Sequence, residues 1–284
     1  MIPAPDTFPN GSERWTAPPL VAASVGLHAA AVLAVALVPG VGEWALGSMA
    51  LNHIALGTAG LRPRSALLGP NISRLGAPAR ARHAVALTFD DGPDPEVTPA
   101  VLDLLDALAV RATFFCIAER AHAHPALTRT IVARGHDVQN HSLRHRHTFA
   151  LLGPGALRRE IGQAQAVLAD ITGRTPHCFR APAGLRNPFL DPVLHRFGLT
   201  LVSWTRRGFD TRARDADRVL QRLATGLGSG DILLLHDGNA GRTRAGVPVV
   251  LQVLPALVER LRHLALRPET LVEALPPRRG ARVE

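Results

Sequence analysis

An apolar N-terminal region precedes a longer region in which short apolar runs alternate with amphipathic stretches. Residues 20–38 are almost entirely apolar, and about 20 such residues are enough for a membrane-spanning helix. A second apolar stretch, residues 44–61, is interrupted by Asn52 and His53. We therefore expect a membrane-anchoring segment of one or two helices over residues 20–61.

The charges beside this segment bear on its type and orientation. A cleaved signal peptide is the alternative, but such a peptide begins with positive charge, and here Asp6 and Glu13 oppose the one preceding arginine, Arg14. The positive-inside rule favours the cytoplasmic side for the rest of the chain, because more arginines follow the segment than precede it. The following arginines are Arg62, Arg64, Arg74, Arg80 and Arg82. Two isolated cysteines, Cys116 and Cys178, make no disulfide framework, agree with that side, and are expected to be buried.

Residues 62–83 are rich in glycine, proline and arginine and are predicted to form a linker, after which strands alternate with helices. Predicted strands cover residues 84–89, 112–117, 136–140, 178–180, 199–204 and 232–235, with a weak strand near Leu271. Predicted helices cover a segment that begins at Thr98, as N-cap before Pro99, and residues 125–134, 156–171, 188–197, 216–227 and 249–264. This alternation predicts an α/β fold with a parallel sheet. The number of units favours a closed or nearly closed barrel, and a doubly wound sheet is the alternative.

Composition narrows the class of protein. With 284 residues, of which 46% are hydrophobic and 19% charged, the chain can form one large domain with an appendage, and bulk disorder is excluded. The net charge is +9 and its positive part is arginine throughout, which favours anionic partners or a membrane surface. Nucleic acid is the least favoured partner, because aromatic residues make up only 4% and no basic helix is interleaved with them.

Polar residues suited to chemistry follow the predicted strands. In a barrel of parallel strands the carboxyl ends of the strands form one face, where active sites lie. We therefore expect the side chains from separate segments to meet at one rim. They are Asp90 and Asp91 after the first strand, His141 after the third, Arg180 at the end of the fourth, Trp204, Arg207 and Asp210 after the fifth, and His236 and Asp237 after the sixth.

A metal site is predicted within this set. Adjacent carboxylates at the end of a buried strand are costly without a positive partner, although Asp-Gly-Pro also suits a simple turn. His141 and His145, four residues apart, would share one face of a helical turn, and with Asp91 they would give three ligands, as in catalytic zinc sites. One aspartate could thus bind the metal while the other takes the proton from a metal-bound water, and His236 could give a proton to the leaving amine.

Five motifs together resemble the polysaccharide deacetylases of carbohydrate esterase family four, the NodB-homology domain. They are TFDDGP from Thr88, HSLRH from His141, RAPAG from Arg180, the tryptophan–aspartate pair of Trp204 and Asp210, and LLLHDG from Leu233, and the match covers about residues 84–275. The resemblance implies a distorted (β/α) barrel of seven or eight strands that hydrolyses N-acetyl groups on amino sugars. It also implies a divalent metal, most often zinc, with cobalt or another divalent ion as the alternative.

The same resemblance assigns a role to each matched residue. Asp90 matches the catalytic base, Arg180 the residue that positions it, His236 the acid and Asp210 the aspartate that tunes the acid. The implied metal ligands are Asp91, His141 and His145, and the implied substrate-binding residues are Ala183, Gly184, Trp204 and Leu234. Ala183 stands where the family has an aromatic residue, and Thr211 stands where it has tryptophan, so the substrate groove is expected to be more open.

The substrate expected from these observations is an N-acylated amino-sugar glycan. A positively charged rim would favour an anionic or a lipid-phosphate-linked glycan, in which case the reaction would be deacetylation or deformylation at the membrane. The loop arginines that could form that rim are Arg186, Arg206, Arg207, Arg212, Arg214, Arg242 and Arg244. Many relatives act on cell-wall glycans outside the cell, which opposes the cytoplasmic orientation.

Two other functions are compatible with parts of the pattern. A mononuclear iron oxygenase also uses two histidines and a carboxylate, and a non-catalytic glycan-binding module could keep the fold. The expected organisation is a tail (1–19), a membrane-anchoring region (20–61), a linker (62–83), a catalytic domain (84–275) and a second tail (276–284), which should fray.

Overall fold

A computed structural model describes residues 14–275 of the chain. The helices are α1 (Pro19–Leu37), α2 (Gly42–Gly60), α3 (Ala77–Ala81), α4 (Val97–Ala107), α5 (Ala118–Ala123), α6 (Pro125–Ala133), α7 (Pro154–Thr172), α8 (Leu190–Arg196), α9 (Ala216–Ala224), α10 (Val249–His263) and α11 (Leu271–Ala274). The strands are β1 (Ala84–Asp90), β2 (Thr113–Cys116), β3 (Asp137–Asn140), β4 (Cys178–Phe179), β5 (Thr200–Leu201), β6 (Arg206–Arg207), β7 (Ile232–His236) and β8 (Arg267–Pro268).

The sheet is parallel and nearly closes on itself. Its strand order is β5-β4-β3-β2-β1-β7-β6, with β8 beside the start of β1. The edge strands β5 and β6 are consecutive along the chain, so the path describes an incomplete ring rather than a doubly wound sheet. The predicted distorted (β/α) barrel is therefore confirmed, and the doubly wound alternative is wrong.

The central strand β1 shows how the barrel positions polar groups. All seven of its residues are buried, because helices cover the outside of the sheet and side chains fill the inside. Leu87 and Phe89 pack in the outer core with Leu254 of α10, whereas Ala86 packs in the inner core with Leu234. Since side chains alternate along a strand, Asp90 projects to the same inner side as Ala86.

Several predicted elements need correction. Helix α4 begins at Val97, and Thr98 is not its N-cap: the Thr98 hydroxyl accepts the N–H of Asp94 and donates to Asp237. The weak strand near Leu271 is helix α11, and the strand nearby is β8. The short elements α5 and β6 were not predicted, since neither is long enough to show a periodicity. The predicted fraying from residue 276 lies outside the described residues.

Residues 62–83 form a packed segment, which corrects the prediction of a linker. Leu68, Leu75 and Ala79 are fully or almost fully buried. Ile72 pairs with Val202 beside β5, so the segment joins the open side of the barrel. The apolar residues in this glycine- and proline-rich stretch are too few to give a periodic signal, although they reach the core.

Helices α1 and α2 form an antiparallel hairpin outside the barrel. Among the described residues, α1 alone is long and apolar enough to cross a membrane, with a mean hydropathy of 2.2. The hairpin is polar inside: Asn52 donates a hydrogen bond of 2.8 Å to the Ser24 hydroxyl, and the His28 and His53 rings lie 5.1 Å apart. Both predicted apolar stretches are therefore helical, with bounds close to those expected.

Candidate active site

The carboxyl end of β1 supplies two aspartates with different surroundings. Asp90, the last strand residue, is 3% exposed and projects into the barrel, where Arg180 donates a 2.6 Å hydrogen bond to its Oδ1. Asp91 leaves the strand in the left-handed region, with φ of 73°, and is 5% exposed. The change of backbone conformation turns the second carboxylate away from the first, so two adjacent acids can serve different purposes.

Asp91, His141 and His145 form a compact cluster. One ligand atom from each lies within 4.8 Å of the others. The Asp91 Oδ1 is 3.3 Å from Nε2 of His141 and 3.2 Å from Nε2 of His145. The three residues predicted as metal ligands therefore lie together, but they meet in a different way from the one that their spacing suggested.

The two histidines lie on a loop, which corrects the predicted helical turn. Ser142 and His145 both have positive φ, of 67° and 50°, so the chain coils back on itself between the rings. Asn140 fixes this loop because its Oδ1 accepts the N–H of Ser142, while its Nδ2 donates to Gln165 of α7. Side-chain hydrogen bonds of Asn140 therefore stabilise this loop, in place of the backbone hydrogen bonds of the predicted helical turn.

Two observations show that this cluster fits a divalent metal. Within residues 14–275, Oδ1 of Asp91 is buried and accepts no hydrogen bond, which is costly for a carboxylate oxygen. Nδ1 of His141 lies 2.8 Å from the carbonyl oxygen of Arg180. Since a carbonyl can only accept, Nδ1 carries the proton and Nε2 keeps its lone pair on the side of Asp91.

The charges in the cluster are strongly coupled. Burial alone would raise the pKa of Asp91, but the adjacent His141 ring, with His145 and His236, outweighs burial and holds that pKa well below its usual range. Burial lowers the pKa of His141, but Asp90 and Asp91 outweigh it and raise the pKa. The pKa of His145 is lowered by burial and by the neighbouring His141. A cation is therefore favoured beside the two aspartates.

Arg180 is the central buried cation of the barrel, at 1% exposure. Beside its bond to Asp90 it donates to the Thr88 hydroxyl at 2.8 Å and to the backbone carbonyls of Val202 and Ser203. Its guanidinium carbon also lies 4.0 Å from the centre of the Phe115 ring. The planar fork is thus held on several sides, and it fixes the orientation of the Asp90 carboxyl group.

His236 and Asp210 form a second buried pair at the same rim. The Asp210 carboxylate accepts Nδ1 of His236 at 2.9 Å through one oxygen and the His236 backbone N–H at 2.8 Å through the other. Burial lowers the pKa of His236, but the charge and hydrogen bond of Asp210, with Asp90 and Asp91, more than compensate and raise it to about 9. His236 is therefore protonated at neutral pH and can give a proton.

One cavity of about 610 Å³ joins these groups. Its walls include the four predicted substrate-binding residues Ala183, Gly184, Trp204 and Leu234, together with the two aspartates, both cluster histidines and His236. Ala183 has φ of 54° and is exposed, so its backbone rather than a ring forms this part of the wall. Arg180 and Asp210 do not line the cavity. They lie behind its wall, where Arg180 contacts Asp90 and Asp210 contacts His236.

Sequence reasoning missed Asn239 and Arg120. Asn239 donates 3.0 Å to Oδ2 of Asp91, and Arg120 donates both to Oδ1 of Asn239 and to the backbone oxygen of Asp91. Because Oδ2 and the backbone oxygen of Asp91 accept these hydrogen bonds, Oδ1 is the oxygen of Asp91 that can bind a ligand. The position of Asn239, directly after the LLLHDG motif, was the one available signal, since Arg120 lies on α5, which was not predicted.

Fewer loop arginines line the cavity than the sequence predicted. Arg206 pairs with Asp231, which precedes β7, and Arg242 pairs with Glu96. Arg186 is 5% exposed and donates to backbone carbonyls. Of the predicted arginines, Arg207 and Arg212 line the cavity.

Comparison with known proteins agrees with this arrangement. The sequence model of the family described as polysaccharide deacetylase matches residues 78–202. A chitooligosaccharide deacetylase of Azorhizobium caulinodans is 33% identical over 69% of this chain and 99% of its own length. A peptidoglycan-N-acetylglucosamine deacetylase of Bacillus cereus is 32% identical over 61% of this chain and 81% of its own.

A solved structure resembles the barrel as well. The family 4 carbohydrate esterase from Streptomyces lividans, in complex with acetate, is 32% identical with a TM-score of 0.61, covering 70% of this chain and 96% of its own. The chain belongs to the polysaccharide deacetylase family, carbohydrate esterase family four, and thus to the hydrolases that act on linear amides.

Proposed function

We propose that this protein removes N-acetyl groups from the amino sugars of a glycan, with Asp90 as base and His236 as acid. The observation that carries the proposal is that two buried pairs, Arg180 with Asp90 and Asp210 with His236, meet across one cavity beside a cluster of three metal-binding side chains. A non-catalytic module would have no need of a histidine–aspartate pair placed across a cavity from an arginine–aspartate pair.

Each residue contributes one step to amide hydrolysis. Asp90, which Arg180 holds in position at 2.6 Å, takes a proton from the attacking water. The backbone N–H of Ala183 stabilises the oxygen that becomes negative as the acyl carbon turns tetrahedral. His236, whose pKa is about 9, gives its Nε2 proton to the departing amine, while Asp210 holds the resulting neutral ring through Nδ1.

Zinc is the first candidate for the metal, and cobalt or another divalent ion is the second. Asp91, His141 and His145 would hold it, and when bound it lowers the pKa of a water molecule toward neutrality and polarises the acyl carbonyl. Two imidazoles and one carboxylate are a ligand set of catalytic zinc, with positions left for water and substrate.

Acetate release from tetra-N-acetylchitotetraose tests the proposal directly. We expect release by the full-length protein, its loss after chelation and its return with zinc. Asp90→Asn should lower kcat by about 10²- to 10⁴-fold while zinc binding persists, and Asp170→Asn, on the exposed face of α7, is the control. Turnover that survives chelation, or that requires iron and oxygen, would contradict the proposal.

An anionic glycan is a second candidate substrate, and Arg207 favours it. This residue lines the cavity beside Trp204 and Phe209, and its buried Nε has no hydrogen-bond partner among residues 14–275. Arg207→Gln should lower turnover of a phosphorylated glycan at least about tenfold more than that of a neutral one. Arg214→Gln, with an exposed side chain, is the control, and an equal effect on both substrates would reject the idea.

We also propose that residues 20–61 anchor the catalytic domain to a membrane. The exposed apolar side chains of both helices and the inward polar pair of Ser24 and Asn52 support this assignment. Extraction with alkaline carbonate should leave the protein in the membrane fraction. A reporter fused after Glu284 tests the cytoplasmic orientation, which the arginines after the hairpin favour.

A further inference from the structure

The base of the hairpin is fastened to the loop that forms one wall of the cavity. Helix α2 ends at Gly60, whose carbonyl accepts the backbone N–H of Arg186 at 3.1 Å. The Arg186 side chain then donates to the carbonyls of Ser65 and Gly69, which follow the helix. A Cβ at Gly60 would overlap the Arg186 carbonyl, so only glycine permits this approach. We call residues 60–69, together with their contacts to the loop that contains Gly184 and Arg186, the root.

The first helix is fastened at the same place. Trp15, four residues before α1, donates a 2.8 Å hydrogen bond from its indole to Asp191 of α8. Gly69 of the root packs against the same Asp191 side chain. Both ends of the hairpin therefore meet one short helix that follows the wall loop, which restricts tilting of the hairpin against the barrel.

The root also touches the cavity wall itself. Pro63 packs against Gly184, which lines the cavity and has φ of 73°. The ring of Trp204, a second lining residue, lies on the same side of Gly184, where a Cβ would stand. Arg64 donates to the carbonyl of Thr205, next to Trp204. Pro63 is the third residue after Gly60, and three residues span at most about 10 Å.

The length of the hairpin places this root relative to a bilayer. Each helix has 19 residues, which is about 28 Å at 1.5 Å per residue and is close to a hydrocarbon core of about 30 Å; α1 also has the hydropathy of a span, and α2 packs along it. Val32, Leu37, Leu51 and Ile54 are each more than 60% exposed. If lipid covers these side chains, the helix ends at Pro19 and Gly60 lie at the level of the head groups.

We propose that the root holds the Gly184 wall of the cavity at the membrane surface, so that the enzyme acts on amino-sugar glycans covalently attached to a membrane lipid. This inference rests on the proposed deacetylation and on the membrane anchor. A flexible linker over residues 62–83 would give a mean reach of about 25 Å and access to distant glycan. The packed root removes that freedom, and only sugars near the lipid surface can reach Asp90 and His236.

The test uses the full-length protein in vesicles of phosphatidylcholine with a minor share of phosphatidylglycerol. The substrate is tetra-N-acetylchitotetraose joined to a lipid through polyethylene glycol spacers of increasing length, and acetate release is measured. We expect turnover to fall at least about tenfold once the spacer lifts the sugar well beyond the root, because the effective concentration at a fixed site falls. The same oligosaccharide free in solution reports the basal activity.

A variant with a loosened root sharpens the test. Trp15→Phe, combined with a flexible glycine-serine insertion between Leu61 and Arg62, should restore turnover of the long-spacer substrate and leave turnover of the soluble oligosaccharide unchanged. The matched control carries the same insertion between Pro39 and Gly40, in the turn at the far end of the hairpin, and should keep the spacer dependence of the natural chain.

The outcomes separate this inference from the proposed function. Soluble turnover together with a rate that does not depend on spacer length would overturn the inference alone. An absence of acetate release from every substrate would overturn the proposed function and the inference with it.

Discussion

The hairpin and the barrel arrange polar and apolar side chains in opposite ways. In the barrel, the ionised side chains of Arg180 and Asp90 are buried at the centre of the inner face and apolar residues fill the layer beneath the helices. In the hairpin, Val32 and Leu37 are 68% and 71% exposed, and Ser24 is among the few buried residues. The difference is what the proposed membrane anchor would require, with apolar side chains facing outward in the hairpin and inward in the barrel.

The two regions also differ in the kind of polar contact that holds them together. The barrel uses charge-assisted hydrogen bonds between buried groups, and removing one partner leaves an unpaired buried charge, which is strongly destabilising. The hairpin uses a neutral bond that Asn52 donates to Ser24, and such a bond costs little to break where the two groups can find other hydrogen-bond partners. Substitutions in the barrel should therefore have much larger effects than substitutions in the hairpin.

The largest effect is expected from Arg180→Met. This change leaves the buried Asp90 without its cation, so the free energy of unfolding should fall by about 3–5 kcal/mol and acetate release should be lost. Denaturant titration in detergent measures the first and the acetate assay the second. Arg129→Met, with an exposed arginine on α6, is the control. A fall below about 1 kcal/mol would show that Arg180 behaves like a surface arginine.

A smaller and pH-dependent effect is expected from Asp210→Asn in metal-free protein. In the folded state the pKa of His236 is about 9, above its ordinary value of 6.5, so folding favours the protonated ring. The stabilisation by the pair is therefore fully present below pH 6.5 and is lost as the pH rises through about 9. The advantage of the natural chain over the variant should shrink by about 2 kcal/mol across this window, and parallel stability curves would contradict the pairing.

Metal affinity should respond to Asn239→Ala. Removing the donor to Oδ2 of Asp91 frees the carboxylate to rotate, and loss of a residue that orients a ligand typically weakens metal binding by about 10- to 100-fold. Competition with a chromogenic chelator measures the zinc Kd, and the unfolding midpoint of the metal-free protein should hardly change. An unaltered Kd would mean that the histidines alone orient Asp91.

The smallest effect is expected inside the hairpin, from Asn52→Leu. Loss of the bond to Ser24 should lower the unfolding free energy of the hairpin in detergent by about 0.6 kcal/mol, with acetate release unchanged. Leu51→Ala, on the exposed face, is the control for altered packing. A loss as large as that of Arg180→Met would mean that the hairpin interior resembles the interior of a water-soluble protein.

Sequence alone determined the elements whose signal is local. The continuous apolar run of β1 and the helical spacing in α7 predicted these elements within a few residues, because each depends on burial of its own side chains. The position of the candidate site residues Asp90, Asp91 and His236 at one cavity was predicted for the same reason, since a polar group at the end of a buried strand lies at the rim of a parallel barrel.

Tertiary structure alone decided how distant segments combine. The ligand loop at His141 and His145 has no helical turn because Asn140 and Gln165, 25 residues apart, fix it instead. Arg206 and Arg207 are adjacent in sequence, yet the alternation of β6 sends one to Asp231 and the other to the cavity. The sequence of residues 62–83 resembles a linker because many of the contacts that hold the start of this segment involve backbone carbonyls and glycines. A pattern of apolar and polar side chains does not reveal such contacts.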